Sequence, residues 1–248
     1  MIRWMLILGG MTALALPAGA AEPQGANPVG LPPEVQQDLV RLLDPEMIFI
    51  GQPLHDSLNT LPPPQQEAAR ARLTTALASG HLEVRRRAAL ALHALGDDGG
   101  VPVLIRDLAT PDRRDRGNVV VALRVIGDRR AIPVLIQAAG DPSPYVRSIA
   151  LEALGELRAR DAWEVILGHL DDKEVEGRGL ECIRLLPAQA ACSALGALGD
   201  RRAIPHLIRA LDDRDVEAAA CQALGKLTQE GFGYDVQRWK DWWRGRHP

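Results

Sequence analysis

The chain has 248 residues, of which 46% are hydrophobic, 25% are charged and 4% are aromatic. This composition is that of a globular protein and excludes an intrinsically disordered chain. The formal net charge of −3 disfavours a dedicated nucleic-acid-binding protein, which carries a marked basic excess. With two Tyr and two Phe, the chain is also poor in the aromatic residues that are enriched in β-strands.

Residues 1–21 have the layout of a secretory signal peptide. Arg3 supplies a short positive region, residues 5–16 form an apolar stretch, and Ala18-Gly19-Ala20 provides the small residues of a cleavage site. The apolar stretch is shorter than the roughly 20 residues that a membrane-spanning helix needs. We therefore expect an exported protein, periplasmic or secreted, with an uncleaved N-terminal anchor as the alternative.

Residues 22–62 are predicted to form a linker followed by an N-terminal capping segment. Residues 22–33 are rich in Pro and Gly, which is typical of a linker. A short helix is expected over residues 35–43 and a longer one from about 65 to 78. The apolar run Met47-Ile-Phe-Ile50 lies between them and is compatible with a strand, but the sequence shows no partner strand.

Two motifs alternate along the middle of the chain. The sequence G-D-R-R-A-I-P from Gly127 returns unchanged from Gly199, and a looser copy begins at Gly96. A second motif follows each first one, with starts at residues 84, 115, 146, 175 and 216, so that the intervals are 31, 31, 29 and 41 residues. A period near 30 residues is typical of a repeated pair of short helices.

The second motif has the apolar spacing of an amphipathic helix. In the copy that starts at Val146, positions 4, 7, 8 and 11 after the start are Ala150, Ala153, Leu154 and Leu157. This i, i+3, i+4, i+7 pattern is one stripe of a helix with 3.6 residues per turn. Its small alanines would let neighbouring helices approach closely and share one core.

The first motif has the start signals of a second helix. Its glycine can end the preceding helix, its aspartate can cap the next one, and its proline falls in the first turn. The aspartates and prolines are Asp97, Asp128, Asp200, Pro102, Pro133 and Pro205. Trp163 stands where other copies have Val or Ile, so we predict a core residue rather than a ligand platform.

The motifs G-D-x-R-A-x-P-x-L and V-R-x-x-A-x-x-A-L-G resemble bacterial HEAT repeats, in the subtype named after phycobilisome-lyase subunits. The resemblance covers residues 63–230. It implies an all-α fold, an α-α superhelix (HEAT-like solenoid) with capping helices at both ends. It also implies that the second helices line an inner, often concave surface, in a family of scaffolds, adaptors and a minority of enzymes.

Two departures from the pattern are visible. The interval of 41 residues holds an extra segment from Pro187 to Gly199, which predicts a helix break at Pro187, a third short helix and an irregular superhelix at this point. The aspartate of the first motif is replaced by Ala159 and Ala188, so those turns must close in another way.

The three cysteines are predicted to be core residues. Cys182, Cys192 and Cys221 each lie in a helical stretch rich in Ala and Leu. One disulfide between two of them, with one thiol left over, is the alternative. The sequence has no C-x-x-C, no His pair at zinc spacing and none of the common catalytic motifs, so it predicts no metal, no cofactor and no enzymatic activity.

Residues 231–248 are predicted to form a C-terminal capping helix, with Asp235 as its N-cap. Trp239, Trp242 and Trp243 follow at i, i+3 and i+4, on one face of that helix. A solenoid must cover its exposed end, which favours a cap over the last repeat. The alternative is an anchor for a membrane surface or a partner, because the rings are surrounded by Arg238, Lys240, Arg244 and Arg246.

Charge along the second helices suggests a binding surface. An arginine follows the start of the first three copies, whereas Glu176 and Glu217 take this place in the last two. Equivalent positions align in a solenoid, which predicts a basic patch for acidic groups of a protein or peptide, running into an acidic one. Salt bridges between repeats, or simple solvation, are the alternatives. The candidate binding residues are Arg85, Arg86, Arg116, Arg147 and Arg124.

These features give two functional hypotheses. The first is an exported, monomeric and non-catalytic scaffold or adaptor that binds a protein or peptide along the inner face of the solenoid. It would bind no nucleic acid and would contact a membrane only through the C-terminal tail. The alternative is an accessory or lyase-like factor that attaches a cofactor to another protein. Only the repeat subtype implies it, and export disfavours it, because the phycobilin lyases that the repeat resembles act in the cytoplasm.

Overall fold

The computed structural model describes residues 30–44, 58–174 and 186–246, and every structural statement below refers to these residues. Within them the regular elements are helices and none is a strand, which confirms the predicted all-α class. In chain order they are α1 (Pro33–Leu42), α2 (Pro63–Ala76), α3 (Leu82–Ala94), α4 (Val101–Asp107), α5 (Arg113–Ile126), α6 (Ile132–Ala138), α7 (Pro144–Glu156), α8 (Trp163–Gly168), α9 (Pro187–Leu198), α10 (Ile204–Ala210), α11 (Glu217–Thr228) and α12 (Val236–Arg244). Short 3₁₀ turns precede α6, α8 and α10, at Arg129–Ala131, Arg160–Ala162 and Arg201–Ala203.

The helices form two layers. The second helices of the repeats, α3, α5, α7, α9 and α11, contact one another in that order. The first helices, α2, α4, α6, α8 and α10, each pack against the second helix that follows. Each repeat therefore contacts mainly its neighbours, as in an α-solenoid.

The predicted apolar stripe is the core of the stack. Ala150, Ala153 and Leu154 of α7 are fully buried, and their counterparts in α5 and α11 are buried as well. Trp163, at the start of α8, is 9% exposed and belongs to the same core, as predicted. Periodicity alone was sufficient to identify these positions, because a helix in a stack buries one continuous stripe.

The turns between repeats use the predicted glycines and aspartates. Gly127 and Gly199 lie in the left-handed region, with φ of +69° and +72°, where a side chain would be strained. Asp128 accepts a hydrogen bond from the backbone N–H of Arg130, and Asp200 accepts one from that of Arg202. Pro102, Pro133 and Pro205 fall in the first turns of α4, α6 and α10.

Of the two positions expected to be turns without the aspartate, Ala188 lies inside α9 instead, and the turn at Ala159 closes without a side-chain cap. Ala159 precedes the 3₁₀ turn of Arg160–Ala162 and makes no capping hydrogen bond through a side chain. Arg158 takes the place of the glycine, with φ of +49°. The backbone follows the same path as in the other repeats, and a non-glycine residue carries the strain of the left-handed conformation.

Helix α9 continues the stack. It begins at Pro187, as predicted, packs on α8, and lies between α7 and α11. The backbone N–H of Ala188 donates to the carbonyl oxygen of Asp172 at 3.0 Å, so the described chain resumes close to the point where it left off. The expected irregularity is therefore absent from the described helices. The predicted second helix that starts at residue 175 lies largely outside them.

Glycines bring the later second helices close together. A Cβ atom on Gly155 of α7 would lie 2.5 Å from the Cα of Ala194 in α9, and one on Gly196 of α9 would lie 2.9 Å from the Cα of Ala223 in α11. Real Cβ atoms do not approach backbone this closely. The glycines therefore set the distance between α7, α9 and α11.

Helix α1 caps the N-terminal end of the stack. Its apolar face of Val35, Leu39 and Leu42 is buried, and the helix contacts α3. The buried Arg87 of α3 donates to the carbonyl oxygens of Leu42 and Asp44 at 3.3 and 3.1 Å. The predicted N-terminal capping helix is confirmed. The signal peptide, most of the linker and the apolar run of residues 47–50 lie outside the described residues.

Two of the three cysteines are buried thiols. Cys192 and Cys221 are 0% and 2% exposed and form no disulfide. Burial raises the pKa of the Cys192 thiol to about 12, so this thiol stays protonated and unreactive. The core prediction is confirmed for both, and Cys182 lies outside the described residues.

Candidate functional site

The three repeat-equivalent arginines form contacts between repeats. Arg85, Arg116 and Arg147, hereafter the arginine ladder, each pair with an aspartate at or after the end of the next first helix. Their Nε atoms donate to Asp107, Asp141 and Asp172 at 2.7, 2.6 and 2.8 Å. The same guanidinium groups also donate to backbone carbonyl oxygens five or six residues before them. Each arginine thus ties the loop before its own helix to the following repeat.

Successive units of the ladder are linked to one another. Asp141 accepts two hydrogen bonds from Arg116, and its own carbonyl oxygen accepts one from Arg147 at 2.9 Å. Burial acts to raise the pKa of the Asp141 carboxyl, but Arg116 and the N–H of Ser143 outweigh it and hold that pKa below its ordinary value. The pKa of Asp172 is likewise low, because the ion pair with Arg147 outweighs its burial.

These contacts agree with the alternative in which the arginines of the ladder form salt bridges between repeats. The side chains of Arg85, Arg116 and Arg147 are only 14%, 17% and 9% exposed, and their charges face carboxylates rather than solvent. Binding of a partner by the ladder remains an untested prediction. Such binding would have to displace ion pairs that hold the repeats together.

The other two candidate arginines are also paired. Arg86 makes two hydrogen bonds to Glu83 within α3, at 2.9 and 2.5 Å. Arg124 of α5 reaches across to α7, where it pairs with Glu152 and Glu156. Burial, together with the charge of Glu156, raises the pKa of Glu152 despite the opposing effect of Arg124.

The aspartates that pair with the arginines of the ladder were not predicted from the sequence. Asp107, Asp141 and Asp172 follow their arginines by 22, 25 and 25 residues. This near-constant spacing is visible in the sequence and would have suggested pairing. The charge pattern does not show that the loop before a second helix lies beside the end of the first helix in the following repeat.

A different surface is open to a partner. This surface consists of equivalent positions on successive second helices and is hereafter called the second-helix face. Its residues are Val121 and Val125 on α5, Glu152 and Glu156 on α7, Ser193 and Ala197 on α9, and Gln222 and Lys226 on α11. Each of these residues is partly or fully exposed. Val125 is 56% exposed, an unusual position for a large aliphatic side chain in the described residues. The face changes from apolar on α5 to acidic on α7 and then to small and polar residues.

The C-terminal tryptophans act as a cap. Trp239 is fully buried, and its Nε1 donates to the carbonyl oxygen of Gly233 at 3.0 Å. It makes edge-on ring contacts with Phe232 and Trp242, at 4.9 and 5.9 Å between centroids. Helix α12 packs on α10 and α11, with Asp235 as its N-cap. Trp242 and Trp243 stay half-buried, so only part of the aromatic face is available as an anchor.

No cluster of three or more His, Cys, Asp or Glu side chains among the described residues is arranged to hold a metal ion. No described helix is both long and apolar enough to cross a membrane. His169 directly follows the end of α8, and its Nδ1 lies 3.0 Å from the Oδ2 of Asp172, the partner of Arg147 in the ladder.

Comparison with protein families finds the repeats directly. The model for HEAT repeats matches residues 101–186, and the model for the PBS lyase HEAT-like repeat matches residues 84–106 and 188–213. The second of these matches runs through α9 and α10, which agrees with the place of α9 in the stack. No curated protein matches the sequence.

Comparison with solved structures finds a similar assembly subunit. One matching chain belongs to the complex of CpcE and CpcF of phycocyanin lyase from Nostoc sp. PCC7120. It is 30% identical to this chain, with a TM-score of 0.52, and the match covers 69% of this chain and 68% of that one.

Proposed function

Because this chain belongs to the HEAT-repeat proteins that carry PBS lyase HEAT-like repeats, we propose that it is a lyase-like accessory factor. Its task would be to bind a second protein that receives a covalently attached cofactor. The match to a subunit of the phycocyanin lyase complex carries the proposal, since it spans 69% of the chain at 30% identity. This favours the accessory role over a general scaffold.

The proposed contribution of the chain is binding. The solved relative is a complex of two proteins, which supports a protein partner for this chain too. A solenoid presents equivalent positions of successive repeats as one extended surface. The ladder is mostly buried in ion pairs between repeats, whereas the second-helix face exposes Val125, so we place the partner on the second-helix face.

The exposed Val125 gives a sharp test of this surface. We would change Val125 to Glu and, as a matched control, Val40 to Glu on α1. The two valines are 56% and 62% exposed, so neither substitution removes a buried side chain. Both variants are expected to unfold at the same urea concentration as the wild type, because exposed substitutions change stability little.

The measurement is cross-linking with mass spectrometry on the full chain in extracts of its source. The proposal predicts one reproducible partner, cross-linked next to the second-helix face, retained by Val40→Glu and lost by Val125→Glu. Size-exclusion chromatography with light scattering then gives the stoichiometry and tests the expected monomeric state of the free chain. Cross-links unchanged by Val125→Glu would refute the assignment of this face.

Export is a separate proposal. It rests on the layout of residues 1–21 alone. Mass spectrometry of the N-terminus of the protein from its source tests it. A mature chain that begins after Ala20 or Ala21, recovered from the periplasm or medium, would support export, and an intact leader on protein from the cytoplasm would refute it.

A further inference from the structure

A pocket lies at the C-terminal end of the solenoid, between the start of α10 and helix α12. Its volume is about 520 Å³, and it is lined by Arg201, Ile204, Trp242, Trp243 and Arg246. This volume lies in the range of small-molecule sites. We propose that the pocket binds an apolar or aromatic group that carries one carboxylate.

The apolar side chains that line the pocket indicate the apolar part of the proposed ligand. Ile204 is buried, and the indoles of Trp242 and Trp243 are half-buried, so each presents part of its surface to the pocket. Aromatic faces of this kind stack on flat apolar groups, which gains dispersion energy as well as burial. The wall is also fixed in place. Glu230 accepts hydrogen bonds from Nε1 of Trp242 at 3.1 Å and from Arg246 at 3.3 Å.

The carboxylate follows from Arg201. The repeat-equivalent arginine, Arg129, donates to the carbonyl oxygen of Leu157 at the end of the next second helix, at 2.7 Å. Arg201 has the same place in the last G-D-R-R motif but makes no hydrogen bond or ion pair to any residue that the structure describes. A guanidinium group in this position is a ready partner for a carboxylate, which it can bind through two parallel hydrogen bonds.

The charge balance selects a single carboxylate. Arg246 lies over the ring of Trp242 at 4.7 Å, and Glu230 compensates its charge. Among the described residues that line the pocket, Arg201 is then the one charge without a described partner, so a monoanion would balance it. A neutral aromatic compound would leave Arg201 without a partner. A dianion would bring a second negative charge towards Glu230, which is bonded to the lining residues Trp242 and Arg246.

Two sources share this chemistry, a free aromatic acid and the C-terminal residue of a protein chain. The probes are 2-naphthaleneacetate with its neutral carboxamide, and the peptide Gly-Gly-Phe with a free or an amidated C-terminus. Titration calorimetry against the full chain is expected to give one saturable site. Each acid should bind roughly tenfold more tightly than its amide, since the charged hydrogen bonds are lost in the amide.

The test variant is Arg201→Gln, with Arg114→Gln on helix α5 as the control for loss of one exposed positive charge. Circular dichroism verifies that each variant is folded. Arg201→Gln should weaken the acid roughly tenfold and leave the amide unchanged, whereas Arg114→Gln should change neither. Binding of only the naphthalene acid would identify a free acid as the ligand, and binding of only the peptide would identify a chain terminus. Equal binding of acid and amide, no effect of Arg201→Gln, or no saturable binding would overturn the proposal.

Discussion

Replacement of Arg116 by Met tests the structural role of the arginine ladder. Met keeps much of the apolar stem and removes the guanidinium. The variant loses two hydrogen bonds to Asp141, and two more to the carbonyl oxygens of Thr110 and Pro111. The Asp141 carboxylate, only 9% exposed, would then remain in place without its cation.

The expected loss of stability can be bracketed from burial. Removal of one partner from a fully buried ion pair costs about 3–5 kcal/mol, because a charge is left uncompensated. Loss of an exposed pair costs about 0–1 kcal/mol. The Arg116–Asp141 pair is close to the buried limit, and the N–H of Ser143 still donates to the carboxylate at 2.8 Å. We therefore expect a loss of about 2–4 kcal/mol.

Urea unfolding followed by circular dichroism measures the effect. If the free energy of unfolding falls by about 2–3 kcal/mol per molar urea, the urea concentration at the midpoint of unfolding should fall by roughly 1 M. Because stacked repeats can unfold in parts, the transition must first be shown to be single and to keep its slope.

Two further variants separate pairing from mere loss of an arginine. Arg130→Met removes a side chain that is 56% exposed, pairs with Asp128 and donates to the carbonyl oxygen of Asp98. Because these contacts are exposed, it should lower the midpoint much less than Arg116→Met does. Arg116→Met combined with Asp141→Asn should be more stable than Arg116→Met alone. The amide oxygen can still accept from Ser143, and no buried charge remains. A midpoint for Arg116→Met equal to that of Arg130→Met would refute the structural role of the ladder.

Three more predictions concern packing, pH and the cap. Gly155→Ala should lower the free energy of unfolding by about 1–3 kcal/mol, because the added Cβ meets the backbone of α9. Gly168→Ala places its Cβ with no atom within 4 Å and should change stability by less than about 1 kcal/mol. The urea midpoints of both variants test this. Burial acts to raise the pKa of Asp172, but its ion pair with Arg147 lowers it below its ordinary value. Its contribution to stability is therefore present above the unfolded pKa, near 3.8, and lost as the pH falls through the lower folded pKa. Urea midpoints between pH 6 and pH 3 should fall less steeply in Arg147→Met than in the wild type. Trp239→Ala should cost about 3–5 kcal/mol and expose the C-terminal end to proteolysis, since this side chain is fully buried; an unchanged melting temperature would contradict the role of α12 as a cap.

Helix periodicity and turn chemistry could be predicted because they depend on local sequence. Leu154 and Ala153 were placed in the core by spacing alone, and Gly127 with Asp128 marked a repeat boundary through backbone preferences that hold in any context. The same local signals did not show that the segment from Pro187 to Leu198 takes a place in the stack of second helices. That place depends on the close approach of Gly155 to Ala194, which is a contact between repeats.

Surface charge was harder to interpret for the same reason. Arg116 and its equivalents were correctly identified as a periodic set, but their partners lie in the next repeat, and a charge pattern does not show whether it is paired. The pocket beside α12 was missed because Arg201 belongs to a motif that is structural in earlier repeats. Arg129 of the same motif donates to the carbonyl oxygen of Leu157, whereas Arg201 makes no such hydrogen bond to a described residue.

The central claim, a lyase-like accessory role, is tested most directly by the intact mass of the partner protein that cross-linking identifies. This partner would be purified, without cross-linking, from wild-type cells and from cells that lack the gene of the HEAT-repeat protein, and its mass would be compared between the two. The account predicts that the partner carries a covalent cofactor in the first case, and that most of it lacks that mass in the second. An identical mass in both, or no cofactor on the partner in either, would contradict it.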